Sequence, residues 1–151
     1  MDALKAAAKQ VLGVQKQAMR DVVSGLDSAA LNWKPLEGQE TNSIAVLLAH
    51  ALDAERYLVA SSVDVTFDRD REAQFRVEVE SAGDLLALID RTEAEVNGWI
   101  DSLTADQLAA EVARPNRTHS GAWWLLHALE HSNEHVGQAL LTRQLYEGRG
   151  Q

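Results

Sequence analysis

The chain has 151 residues, enough for one domain with a sizeable core, and its 46% hydrophobic and 25% charged residues are typical of a globular protein. Its formal net charge of −9 disfavours a nucleic-acid partner, because affinity for a phosphate backbone rests largely on Lys and Arg. The absence of cysteine excludes disulfides and thiolate ligands, so any metal would be bound by His, carboxylate or water.

The N-terminus lacks the apolar core of a signal peptide, and no apolar run reaches the roughly 18 residues of a membrane span, so we expect a cytoplasmic protein.

The first half of the chain predicts two long helices. Apolar residues recur at helical spacing over residues 3–24, with Lys16 and other basic residues on other faces, and Gly25 ends this helix. After a linker, Asn42 or Ser43 caps a second helix that ends near residue 62.

The segment after the second helix has a different pattern. Apolar residues alternate over residues 63–80 around a charged stretch, which predicts a long, partly extended connection or a small hairpin. Ser81 and Asp84 then resemble a capping box, although Asp is not the usual partner of the serine. They open a third helix whose apolar residues stay in phase to Leu103.

The last third of the chain predicts one more long helix. Thr104 caps a short turn, Pro115 interrupts the chain, and Ser120 caps a helix that runs to about Tyr146. Four long helices without a repeat predict an all-α four-helix bundle, formed by a single domain over residues 1–151. Bundle interiors are common places for metal sites built from facing helices.

Three of the five histidines lie one helical turn apart on the predicted last helix, at His127, His131 and His135. Side chains at this spacing have Cβ atoms about 5–6 Å apart, so two imidazoles can bind one metal ion. A helical wheel places His131 and His135 towards the apolar stripe and His127 at its margin. The alternative is that all three are ordinary polar residues along a helix margin. Their regular spacing favours a metal site.

A third imidazole would have to come from another helix. His119 precedes the cap of the last helix, and we expect it in a loop, with solvation or capping as its role. His50 flanks the apolar face of the second helix, and its alternative interpretation is a partly buried histidine bonded to a backbone carbonyl. By elimination we predict His50, His131 and His135 as metal ligands. Three neutral nitrogens leave one coordination position open, as in catalytic zinc-type sites.

Glu55 falls near the centre of the apolar face of the second helix. An unpaired carboxylate there would be costly, so it should be paired, protonated or close to the metal. In one interpretation Glu55 is the catalytic residue, as a fourth ligand, a partner of a ligand or a general base for metal-bound water. In the other it forms an ion pair with an arginine inside the bundle. The residues alone leave both interpretations open.

Two segments of the sequence resemble signatures of the DinB/YfiT-like metalloenzyme superfamily. Residues 42–57 read NSIAVLLAHALDAERY, residues 124–138 read WLLHALEHSNEHVGQ, and Trp33-Lys34-Pro35 fits the loop that often precedes the first signature. The resemblance covers nearly the whole chain in helix order. It implies an up-down-down-up bundle, usually a homodimer, that binds zinc, nickel or another divalent ion. The family's metal triad falls on His50, His131 and His135.

The resemblance also implies an activity. Characterised members resemble thiol-dependent transferases or isomerases that use mycothiol, bacillithiol or glutathione. We therefore predict a divalent-metal-dependent transferase, isomerase or hydrolase for a small molecule, with an external thiol as candidate cosubstrate. The alternative is a non-catalytic, metal-binding stress-response homodimer. Val136 stands where many members carry a basic residue, which puts an anion contact at that position in doubt.

Overall fold

The computed structural model describes residues 1–38 and 41–149, and four long helices dominate it. These are α1 (Asp2–Val23), α3 (Ile44–Ser62), α5 (Ala82–Ser102) and α7 (Gly121–Gly148). The shorter elements are α2 (Ser28–Asn32), α4 (Arg71–Gln74), α6 (Ala105–Ala109) and an antiparallel hairpin of β1 (Glu111–Arg114) and β2 (Arg117–Ser120). The predicted four-helix bundle is confirmed.

Two clusters of buried side chains define the directions of the long helices. The first joins the second halves of α1 and α7 to the first halves of α3 and α5, around Met19, Val136, Leu48 and Ile89. The second joins the opposite halves, around Leu12, Trp124, Val59 and Ile100. Helices α3 and α5 are therefore parallel to each other and antiparallel to α1 and α7, which confirms the up-down-down-up order.

Each long helix packs mainly against two others. Helix α1 contacts α5 and α7, and α3 contacts the same two helices, so α1 and α3 lie diagonally across the bundle interior. Side chains that reach across this diagonal meet in the core rather than at a helix seam. This arrangement brings a lysine of α1 and a glutamate of α3 together, as described below.

The helices begin and end where the sequence predicts, because the capping residues satisfy free backbone groups. The Ser43 hydroxyl accepts a hydrogen bond from the Val46 N–H at 3.2 Å, and Ser120 does the same for Trp123. Ser81 opens α5 with the predicted capping box. At the end of α1, Gly25 has a φ of +75°, a left-handed conformation that glycine adopts without steric cost.

The predicted long connection between α3 and α5 is present, but the alternative of a small hairpin within it is wrong. None of the described residues between 63 and 81 forms a strand, and the segment contains the short helix α4 instead of a hairpin. The chain returns along the bundle surface, where Val77 and Val79 are half-buried but Val65 and Phe75 are exposed, so the alternation does not mark a strand with one buried face. Val63 is buried in the core, and Phe67 stacks on Trp99 with ring centroids 6.2 Å apart. The hairpin lies at residues 111–120 instead, turning at Pro115.

The long helices bury apolar side chains in the bundle core, and their exposed faces are not uniformly apolar. Within the two described ranges, none of the helices combines the length and the apolar character that a membrane crossing would require.

Candidate metal centre

The three predicted ligands meet in one cluster. Helix α3 supplies His50, and α7 supplies His131 and His135 from successive turns. Each side chain offers one nitrogen, and the three nitrogens lie within 4.8 Å of one another. The ring centroids are 4.5–5.3 Å apart. Within the described part of the chain, these are the residues grouped closely enough to share an ion.

Side-chain amides orient two of the imidazoles. Nδ1 of His50 lies 3.0 Å from Oε1 of Gln74, and Nδ1 of His135 lies 2.7 Å from Oε1 of Gln138. An amide oxygen can only accept a hydrogen bond, so each Nδ1 carries the proton in these contacts. The Nε2 atom of each ring is then left with its lone pair. This is the tautomer that a metal ligand needs, set by the bond at the other ring nitrogen.

His131 has no such partner. Its Nδ1 atom is buried and forms no hydrogen bond with any described residue. Burial, followed by the nearby rings of His135 and His50, lowers the pKa of His131 from 6.5 to about 3. Burial also lowers the pKa of His50, and the hydrogen bond that its ring donates to Gln74 opposes this shift. Both imidazoles are therefore neutral at physiological pH, and metal ligation requires neutral imidazoles.

The residues present fit a divalent metal ion. Zinc–nitrogen bonds of about 2.0–2.1 Å in tetrahedral geometry place ligand nitrogens roughly 3.4 Å apart. The cluster lies within 4.8 Å, so small side-chain rotations would bring the nitrogens to ligating distance. An ion ligated by Nδ1 of His131 would also give that buried atom the partner that it lacks among the described residues. Imidazole suits zinc, nickel, copper and iron, so the donor set alone leaves several metals possible.

Gln74 is a site residue that the sequence did not reveal. Its Nε2 donates to Oδ2 of Asp53, and the same carboxylate oxygen accepts a hydrogen bond from Nε of Arg69. The amide of Gln74 is therefore held in one orientation, with its oxygen towards His50. The available signal was Asp70, whose side chain caps α4 and so places Gln74 at the end of that helix.

Glu55 lies in the bundle interior but not in the histidine cluster. Its side chain is 0% exposed, and both of its carboxylate oxygens lie 2.5 Å from Nζ of Lys16. The hydroxyl of Ser132 donates to the same carboxylate at 2.8 Å. The ion-pair interpretation therefore describes the contacts of Glu55, with a lysine in place of the expected arginine. The placement of Lys16 outside the apolar face was wrong, because the lysine reaches across the diagonal to its partner.

The remaining two histidines stand outside the cluster. Nδ1 of His127 lies 2.9 Å from the carboxylate of Glu130, and the side chain is 24% exposed. His119 stacks on Trp123 with ring centroids 3.7 Å apart. It lies in strand β2 rather than in the expected loop.

Two cavities adjoin the triad. The first, here called the arginine cavity, has a volume of about 610 Å³ and reaches His50 and His131. Its other described lining residues are Ala54, Tyr57, Leu58, Arg69, Arg71, Pro115, Asn116, Arg117 and His127. The second, here called the leucine cavity, has a volume of about 650 Å³, reaches His135, and is lined largely by Trp33, Leu36, Leu47, Leu141 and Leu145.

Comparison with known families agrees with this description. A sequence model of the DinB superfamily matches residues 12–139, so the chain belongs to the DinB superfamily. No curated protein matches the chain.

Solved structures show the same fold. A conserved protein from Enterococcus faecalis has a TM-score of 0.76 and 16% identity, with 95% of this chain and 96% of that chain covered. YfiT from Bacillus subtilis has a TM-score of 0.71 and 16% identity, with 99% of this chain and 90% of that chain covered. YfiT is described as a probable metal-dependent hydrolase with an unusual four-helix bundle topology. A variant of a mycothiol-dependent maleylpyruvate isomerase has a TM-score of 0.66 and 14% identity, covering 89% and 60%.

Proposed function

We propose that this protein is a divalent-metal-dependent enzyme for a small molecule, with His50, His131 and His135 as the metal ligands. One observation carries the proposal. Three imidazoles from two helices place ligand nitrogens within 4.8 Å of one another beside a cavity of about 610 Å³. A cavity of this size suits a small molecule. Three histidine ligands would leave a coordination position for a reacting group.

The chain's own residues would hold the ion and orient its ligands. A divalent ion in such a site acts as a Lewis acid and lowers the pKa of a coordinated water or thiol towards neutrality. Gln74 and Gln138 fix the tautomers of His50 and His135, so that both rings present Nε2. Burial keeps the His131 imidazole neutral, the form that can ligate a metal ion. Zinc and nickel are the metals we expect.

For the reaction we propose transfer or isomerisation that depends on a low-molecular-weight thiol. The similar fold of a mycothiol-dependent isomerase supports this choice, and the hydrolase description of YfiT supports a reaction with water as the alternative acceptor. Two cavities meet at the triad, and a transfer reaction needs room for two reactants. The thiol would be external because the chain contains no cysteine.

The predicted catalytic role of Glu55 stays a prediction. Because Lys16 and Ser132 occupy its carboxylate, Glu55 could take part in catalysis only if one of them released it. Glu55→Gln tests this role. If Glu55 transfers a proton, turnover falls about 100-fold or more while metal content is unchanged.

The second candidate is a metal-binding bundle protein without catalysis that acts as a homodimer. Its support is a group of exposed apolar side chains on α7, which a second copy would cover: Leu126, Leu140, Leu141 and Leu145. In this case the metal would stabilise the fold rather than react.

One variant separates the two candidates. For an enzyme, His135→Ala should lower turnover more than about 10–100-fold, the loss that is typical when a hydrogen-bond partner of a metal ligand is replaced. The melting temperature of the metal-stripped protein should change little. For a structural site, none of the thiols should support turnover, although the metal should still raise the melting temperature of wild type and the variant should lose that gain. Turnover is screened on metal-loaded protein with several low-molecular-weight thiols. His119→Ala is the matched control, because its ring stacks on Trp123 outside the cluster and lines neither cavity, so this variant should behave as wild type.

A further inference from the structure

Positive charge is concentrated in the arginine cavity, although the chain is acidic. The sequence has 23 Asp and Glu residues against 14 Lys and Arg residues. Three of the arginines, Arg69, Arg71 and Arg117, nevertheless line this one cavity. None of the described residues that line it is acidic. The cavity beside the triad therefore favours an anion before any metal charge is counted.

Two of the three arginines supply most of this charge. Asp53 offsets the charge of Arg69, since its carboxylate binds Nε of that side chain. In contrast, Arg71 and Arg117 form no ion pair with any residue in the described ranges. Each has an aromatic neighbour, with Cζ of Arg71 5.3 Å from the ring centroid of Phe75 and Cζ of Arg117 6.0 Å from that of Trp123.

Arg69 has an unused hydrogen-bond donor. Its Nη2 atom is buried and has no hydrogen-bond partner among the described residues. A buried N–H group without an acceptor is unfavourable, so an acceptor brought by a ligand would be stabilising. The guanidinium is held by Asp53 and lies over the ring of Tyr57, with Cζ 5.1 Å from its centroid. Arg69 is therefore fixed beside the metal centre, and its Nη2 atom can still donate a hydrogen bond to a ligand.

The two free guanidinium groups come from separate segments. Arg71 is on α4, in the connection after α3, and Arg117 begins β2 in the hairpin before α7. Apolar side chains of Ala54, Leu58 and Pro115 also line the cavity, which suits a carbon skeleton between charged ends. A planar guanidinium binds a planar carboxylate through two parallel hydrogen bonds. Phosphate sites commonly use the N-terminus of a helix, and no described lining residue begins a long helix.

From these observations we propose that the arginine cavity binds a small organic carboxylate as the substrate of the metal centre, with Arg71 and Arg117 as its carboxylate-binding residues. This proposal rests on the proposed function, because it names the substrate class for that site. It assigns a binding role to residues of α4 and the hairpin, outside the two helices that hold the histidines.

Binding of carboxylates to the whole protein tests the proposal. Isothermal titration calorimetry would use succinate, glutarate, benzoate and phthalate, each beside its neutral amide, with inorganic phosphate as a further probe. We expect at least one carboxylate to bind at least about tenfold more tightly than its amide and than phosphate, with an affinity that falls as salt is added. Arg71→Gln combined with Arg117→Gln should weaken that binding at least about tenfold.

Arg91→Gln is the matched control. Arg91 is exposed on α5 and does not line the arginine cavity, so its replacement removes one positive charge from another surface, as Arg71→Gln or Arg117→Gln alone removes one from the cavity. The proposal is overturned if no carboxylate binds better than its amide, if phosphate binds more tightly, or if Arg91→Gln weakens binding as much as the double variant. An unchanged far-ultraviolet circular dichroism spectrum for each variant confirms that it is folded.

The same samples separate failure of this proposal from failure of the proposed function. Metal content is measured on each of them. A bound divalent ion without preferential carboxylate binding refutes the carboxylate site and retains the metal centre. Preferential carboxylate binding without any bound ion refutes the metal centre instead.

Discussion

The buried ion pair in the bundle interior gives a sharp test of how the helices pack. The side chains of Lys16 on α1 and Glu55 on α3 are 1% and 0% exposed. Replacing Lys16 by methionine keeps the aliphatic stem but removes the charge that offsets the carboxylate. Glu55 would stay buried with only the Ser132 hydroxyl as its partner. We expect the free energy of unfolding to fall by about 3–5 kcal/mol.

This loss is large enough to measure by two methods. For a chain of this length, 1 kcal/mol shifts the midpoint of thermal unfolding by about 2–4 °C, so Lys16→Met should melt roughly 6–20 °C below wild type. Urea unfolding followed by the fluorescence of the four tryptophans gives the free energy directly.

A double variant provides the control. Lys16→Met with Glu55→Leu removes both charges and leaves apolar side chains of similar size, so its stability should return to within about 1 kcal/mol of wild type, or exceed it. The reasoning is refuted if Lys16→Met costs less than about 1 kcal/mol. It is also refuted if the double variant is no more stable than Lys16→Met.

Three further predictions concern the triad and two glycines. In metal-stripped protein, the free energy of unfolding should fall as pH drops from 6.5 towards 3, and His131 should contribute up to about 1.4 kcal/mol per pH unit. In this range the His131 ring takes up a proton in the unfolded chain but not in the native protein, where its pKa is lowered. Gln74→Ala should weaken metal binding about 10–100-fold, since Nδ1 of His50 loses its acceptor. Gly98→Ala should raise the free energy of unfolding by about 0.5–1 kcal/mol, because alanine favours the helix and its Cβ would meet open space. Gly121→Ala should lower the free energy of unfolding by about 1–3 kcal/mol, because its Cβ would overlap the backbone carbonyl of Gln107.

Each of these has its own control. His131→Asn should flatten the pH dependence between pH 6.5 and 3, and an unchanged slope would show that other groups cause it. Gln17→Ala removes an exposed amide that donates a hydrogen bond to Asp21 of the same helix, so it should leave metal affinity unaltered. If it weakens binding as much as Gln74→Ala does, the orienting role of Gln74 is wrong. For the glycine pair, chemical unfolding is the measurement, and equal effects at both positions would contradict the packing around Gly121.

The sequence predicted the bundle well because its signals are local. The caps at Ser43, Ser81 and Ser120 lie within a few residues of the backbone groups that they satisfy. The spacing of His131 and His135 is likewise a property of one helix, and only His50 had to be inferred from elsewhere in the chain.

The residues that were missed or misplaced depend on contacts between distant segments. A helical wheel of α1 cannot show that Lys16 finds a carboxylate across the bundle, 39 positions along the chain. Gln74 reaches His50 only because the parallel arrangement of α3 and α5 makes the connection return past the triad. The three arginines of the arginine cavity likewise converge from the connection and the hairpin. The local periodicity of the sequence carries no information about these contacts between distant segments.

Metal content is the most direct test of the triad. Elemental analysis of untagged protein should find one divalent ion per chain in wild type and in His127→Ala, whose ring lies outside the cluster. His50→Ala, His131→Ala and His135→Ala should each retain far less than one ion per chain. Equal metal in all five proteins would contradict the account, because the ion would then be bound somewhere else.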